Sequence, residues 1–333
     1  MSGLTDIRYD NYTLYGIQSK TERHLLIGYT SLISISSLIG DTLILVGSSR
    51  YNAIKLHKIM VVFIQHIAVA DLAFSLFKAL PGAVSLAAND WILGRFLCFA
   101  AYYATYISAL AMCLHISALA LAKLLIVRDP LRAINFSSKT GHMIACGIWV
   151  YSAIFPIAAT IKEKFDIYFS YLDYNCESYG EWKPLENLIY SSAVGFSILA
   201  SDVVTLVSSV MLIHLAKKAT ERGLGELQWR GIATVLLTVA VHIVSTLPLA
   251  VYFVGSAITS STLFQVEFHR YALYIALFDT MANFYIYTLT LRSFREFLKS
   301  RICVGSSLSV GSRALNKDRT ITTDAGESER LLT

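Results

Sequence analysis

Seven apolar stretches run along the chain, separated by short polar segments. They are Leu25–Val46, Met60–Ala87, Leu97–Val127, Met143–Ile161, Leu185–His214, Gly231–Ser256 and Tyr271–Thr290. Each is long enough to cross about 30 Å of hydrocarbon as a helix. The pattern predicts an all-α membrane protein, a seven-transmembrane helix bundle. Its third stretch organises the rest. No lysine, arginine, aspartate or glutamate falls between Arg95 and Lys123, and Ala104, Thr105, Ser108, Ala111, Ser117 and Ala120 are scattered through it. Small residues let neighbouring backbones approach, which suits a central helix packed on most sides. After the seventh stretch, Phe294, Phe297 and Leu298 recur at i, i+3 and i+4 among basic residues of Leu291–Ile302. That spacing predicts a short amphipathic helix lying on the membrane.

Composition agrees with the pattern. Apolar residues make up 55 % of the chain and charged ones only 15 %, with a mean hydropathy of +0.55. A soluble domain carries nearer a quarter charged. The net charge of +5 calls for no nucleic acid, because basic loops on one membrane face account for it. One set of connections holds fifteen lysines and arginines, from Arg50 to Arg301, and the other holds eight. The positive-inside rule then puts the N-terminus outside and the C-terminus in the cytoplasm, with the plasma membrane the expected location.

The expected organisation is an outer tail over residues 1–24, a helical domain over 25–303 and a disordered cytoplasmic tail over 304–333. The outer tail has no apolar core of the signal-peptide kind. Its Asn11-Tyr12-Thr13 fits the glycosylation pattern. Cys98 opens the third stretch at the outer mouth, and Cys176 lies in the outer connection Lys162–Pro184. Two cysteines in an oxidising compartment predict a disulfide that pins this loop over the bundle. Cys113 and Cys146 read as packing residues. Cys303, directly after the amphipathic segment, is an acylation candidate held near membrane lipids. No nucleophile elbow, His-Glu-x-x-His or phosphate loop points to an enzyme.

In these features the chain resembles a class A (rhodopsin-like) G-protein-coupled receptor over about residues 25–303. Gly40-Asp41 stands where the family shows Gly-Asn. Ala68-Val69-Ala70-Asp71-Leu72 matches its helix 2 pattern, and Trp91, Gly94 and Cys98 match the first outer loop and the top of helix 3. Pro130-Leu131, Trp149 and Pro248 match landmarks of the second inner loop, helix 4 and helix 6. Asn283 and Tyr287 match the ends of Asn-Pro-x-x-Tyr. There are departures. Asp-Arg-Tyr reads Ala122-Lys123-Leu124, Cys-Trp-x-Pro reads Ser245-Thr246-Leu247-Pro248, and Phe284 replaces the proline after Asn283. Helix 5 lacks the usual proline. Thr105 replaces the aminergic aspartate, and Leu277 lies near the place of the retinal lysine, so no retinal is expected.

The resemblance implies roles for the costly ionisable groups inside the membrane. Asp71 and Asn283, with Asp41 and Asp279 nearby, form the candidate sodium site. The alternative is that the carboxylates share protons and hydrogen bonds without a cation. Lys78 meets an anionic ligand group, or else forms an internal ion pair or snorkels outward, and Pro81 is expected to kink the outer end of its helix. The ligand pocket is expected in the outer half, lined by Lys78, Tyr102, Thr105, Tyr106, Leu249 and Tyr252. His242 sits near the family's activation pivot or is a satisfied core histidine. No partner for Asp202 is legible.

Lys123, Arg128 and Tyr287 are expected to form the inner face for a heterotrimeric G protein. Lysine there keeps the charge but loses the planar fork of arginine, which predicts weak coupling. The tail serine and threonine residues are candidate phosphosites for arrestin-like partners. Glu327-Ser328-Glu329-Arg330-Leu331-Leu332 resembles a dileucine signal for clathrin adaptors. Three readings follow: a signalling receptor for an unknown extracellular ligand, a receptor-like protein that internalises ligand without coupling, and a transporter. The third lacks an internal repeat and paired broken helices.

Overall fold

The computed structural model describes residues 19–50, 53–133, 135, 137–160, 166–170, 174–179, 184–220, 226–258 and 262–307. Seven long helices form the bundle: α1 (Lys20–Arg50), α2 (Lys58–Ala88), α3 (Gly94–Arg128), α4 (Ser138–Thr160), α5 (Pro184–Thr220), α6 (Glu226–Ile258) and α7 (Thr262–Thr290). Among the described residues, the first six each contain a segment long and apolar enough to cross a membrane. α7 is comparable in length but more polar, because it carries Glu267, His269, Arg270, Asp279 and Asn283. A short helix, α8 (Arg292–Ser307), follows it.

Most helices overrun their apolar stretches by a turn or more, since the hydrogen-bonded ladder continues into the polar interface where backbone groups still gain from pairing. Leu32, Ile35 and Ile39 on α1, Val150 and Ile154 on α4, and Val203, Val207 and Val210 on α5 are all exposed. They form the lipid-facing surface of the bundle, where apolar side chains meet apolar chains rather than water. α3 runs through the centre and touches α2, α4, α5 and α6.

At Pro81, where the sequence predicts a kink, the structure shows a change in the ladder. Ser75–Ala79 is a π-helical turn immediately before the proline's own turn. Widening the ladder there accommodates the N–H that Pro81 lacks.

Two strands, β1 (Asp166–Ser170) and β2 (Asn175–Tyr179), form an antiparallel hairpin over the outer mouth, with Phe169 opposite Cys176. Cys176 is bonded to Cys98 at the top of α3. Phe169 and Tyr174 of the hairpin are buried in one apolar cluster with Trp91, which reinforces the covalent tie. At the inner end α8 folds back on the bundle. Phe294 is buried and Phe297 lies within 3.0 Å of where a Cβ on Gly47 would stand. Arg295 Nη1 donates to the Thr288 and Leu289 carbonyls, capping the end of α7.

Candidate functional site

The outer half of the bundle encloses a mostly apolar cavity of about 70 Å³ under the hairpin. Lys78, Thr105, Tyr106 and Leu249 line it, as the sequence suggested. Phe253, Glu177 and His269 line it as well. Two expected residues do not. Tyr252 stacks on the His269 ring at 4.2 Å, at the α6–α7 contact, while its neighbour Phe253 turns to the cavity. Tyr102 is fully buried among Tyr103, Tyr106 and that apolar cluster. Successive helical residues point about 100° apart, so a one-residue error in register exchanges a packing residue for a lining one. The Thr105 hydroxyl is buried with no hydrogen-bond partner, a polar position inside an otherwise apolar wall.

Below the cavity lies a polar layer. Asn283 Nδ2 donates to Asp71 Oδ2 at 2.8 Å, joining α7 to α2. Asp41 Oδ2 accepts from the Ser37 hydroxyl at 2.5 Å, and Asp41 is near enough to Asp71 for their charges to interact. Asp41 Oδ1, Asp71 Oδ1, Ser75 Oγ and Asn283 Oδ1 are all buried without a hydrogen-bond partner. Orphaned buried oxygens are costly, and a hard cation or shared protons satisfy such a donor set. The residues therefore fit a sodium ion. No group of three His, Cys, Asp or Glu among the described residues is arranged to hold a metal through those side chains alone, so the hydroxyl and amide oxygens of Ser75 and Asn283 are needed.

Asp279 is engaged elsewhere. Its Oδ2 lies 2.6 Å from His242 Nδ1, and His242 Nε2 lies 3.6 Å from Asp202 Oδ1. Asp202, which had no legible partner, also accepts from the Thr246 hydroxyl at 3.2 Å. The signal was present in the sequence as a histidine and two aspartates in three different apolar stretches, but which would meet depends on the rotation of α5, α6 and α7.

At the inner end Tyr287 is buried and Arg128 exposed. Lys123 is buried too, against α6: a Cβ added at Gly231 would lie 3.0 Å from its Nζ. Gly231 thus makes the room in which the lysine lies. Trp149 donates from its indole N–H to His66 Nδ1 at 3.0 Å, tying α4 to α2. Asn11, Glu327, Leu331 and Leu332 lie outside the described residues, and so does the Cys303 side chain, although its backbone belongs to α8.

The family described as 7 transmembrane receptor (rhodopsin family) matches residues 41–287. The chain belongs to that family. Galanin receptor 2a of Danio rerio is 25 % identical to this receptor over 126 residues. That match covers 38 % of this chain and 34 % of the relative, so it spans about a third of the relative's length. The rhodopsin-family match runs from Asp41 to Tyr287 and makes the receptor a multi-pass membrane protein.

Proposed function

We propose that this rhodopsin-family receptor binds an extracellular small ligand in the cavity beneath the hairpin and signals through α6 to a heterotrimeric G protein. The observation that carries the reading is the cavity itself. It is closed above by a disulfide-tied hairpin and floored by Cys113 on α3 and Thr246 on α6, so an occupant touches the helix that must move. Its apolar walls and the unpartnered Thr105 hydroxyl favour a compact apolar ligand with one hydrogen-bonding group. Lys78 and Glu177 bring opposite charges to the same space.

On this reading the N-terminus is extracellular, the receptor works at the plasma membrane, and sodium occupies the Asp71 layer in the resting state. Asn11 carries a glycan, Cys303 an acyl chain, and the tail recruits arrestin-like and adaptor proteins. The buried Lys123 beside Ala122 supports weak coupling, and it favours as second reading a receptor that internalises ligand without nucleotide exchange. Basal nucleotide exchange on purified G proteins, with the receptor in lipid, tests the proposal: exchange above the empty-membrane control supports it, and none in the parent or in Lys123→Arg favours the second reading.

A further inference from the structure

We propose that His242 is held as an imidazolium between Asp279 and Asp202, and that this clamp is the element by which α6 is held to α5 and α7 at rest. His242 is fully buried. Both ring nitrogens face a carboxylate, Nδ1 towards Asp279 at 2.6 Å and Nε2 towards Asp202 at 3.6 Å. A neutral imidazole donates from one nitrogen only and would turn a lone pair on the other carboxylate. The imidazolium donates a charge-assisted hydrogen bond from Nδ1 to Asp279 and pairs by charge alone with Asp202, which at 3.6 Å is too far from Nε2 for a hydrogen bond.

The groups around the ring are titratable on every side. Asp279 comes from α7, Asp202 from α5 and Cys113 from α3, and Asp71 on α2 is near enough to interact with the ring. Four carboxylates and one imidazole share this part of the bundle once Asp41 is included, so a positive centre lowers the cost of keeping any of them ionised.

The placement makes the clamp a positioning device for the signalling motion. Cys113 and Thr246, which both contact the clamp, also form the cavity floor. The single Thr246 hydroxyl proton is shared between the His242 carbonyl at 2.8 Å and Asp202 at 3.2 Å. Pro248 interrupts the α6 ladder between the clamp and the cavity residues Leu249 and Phe253, which gives a hinge at that height. An occupant that pulls Thr246 away from Asp202 loosens the α5 side first, and the inner half of α6 is then free to leave α7.

The inference rests on the receptor reading only for that last step, and its test needs neither ligand nor G protein. The purified receptor in lipid nanodiscs is labelled with ¹⁵N-histidine, and the His242 signals are assigned by their absence in His242→Gln. At pH 7 both ring nitrogens are expected to be protonated; a neutral tautomer, with one protonated and one bare nitrogen, would overturn the clamp. In parallel, hydrogen exchange is followed over Ile232–Val241. His242→Gln and Asp279→Asn are expected to raise exchange there roughly tenfold, the factor for losing about one charged hydrogen bond, while Asp279→Glu stays near the parent. Neutral variants that fold and exchange like the parent would overturn the positioning role. If they do not fold, the His242 signals are assigned by elimination, with the other seven histidines replaced one at a time, and the spectrum of the parent then decides the matter.

Discussion

A Cβ placed on Gly231 would stand 3.0 Å from Lys123 Nζ, so α3 and α6 meet at the inner end through a glycine and a lysine ammonium. Rhodopsin-family resemblance puts an acid-restrained arginine at the lysine's position. Here the neighbour is Ala122, which cannot restrain anything by charge. Lys123 lies inward in the space left by Gly231, a space that Leu56 also borders, its Cδ2 3.2 Å from that Cβ. Filling that space must displace either the flexible lysine or the foot of α6. We therefore expect Gly231→Leu to move the inner end of α6 outward, measured as a longer spin-label distance between α3 and α6; an unchanged distance would mean the lysine simply swings aside.

Helix α1 approaches α7 in a similar way. A Cβ on Gly40 would lie 2.5 Å from Phe284 Cβ, closer than any real contact. Phe284 occupies the place of the family's proline, and Gly40 provides the room. Gly40→Ala should cost about 1–3 kcal/mol through overpacking. The double variant Gly40→Ala with Phe284→Gly should lose less than the sum of the two, because glycine removes both the Cβ and the ring that the new methyl would meet. Thermal unfolding in lipid measures both; strict additivity would show that the two residues do not share the strain.

The sodium proposed for the polar layer makes a thermodynamic prediction that needs no ligand. A cation that binds only the folded resting state raises stability with its concentration. Sodium chloride should therefore raise the melting temperature of the receptor relative to choline chloride at equal ionic strength. Asp71→Asn should abolish the difference. An identical response to the two salts in the parent would leave proton sharing as the account of the orphaned oxygens of Asp41 and Asp71.

The hairpin over the cavity is tied at one point to α3. Losing the Cys98–Cys176 bond should lower stability by about 2–4 kcal/mol. Cys98→Ser, Cys176→Ser and the double variant should melt at the same temperature, because each removes the same bond. A double variant clearly less stable than either single one would assign separate packing roles to the two sulfurs.

How much of this was legible in the chain depends on what sets each feature. The seven helices are legible because an apolar run of membrane length has only one way to satisfy its backbone. The Cys98–Cys176 pair is legible because the topology leaves both on one face. The side chains of the site are less so. Tyr252 and Phe253 are equally suitable cavity residues by type, and only the rotation of α6 chooses between them. Asp202 stood out as a buried charge without a partner, yet its meeting with Thr246 and His242 depends on how α5 and α6 are turned. The Gly40–Phe284 and Lys123–Gly231 contacts involve glycines, whose meaning lies entirely in what stands opposite them.

Nucleotide exchange in a panel of G proteins, with the receptor purified in lipid beside Lys123→Arg, tests the account most directly. It predicts low exchange by the parent, above the empty-membrane control, and a clear rise when arginine restores the planar fork at the inner face. Strong exchange by the parent that Lys123→Arg does not improve would contradict it.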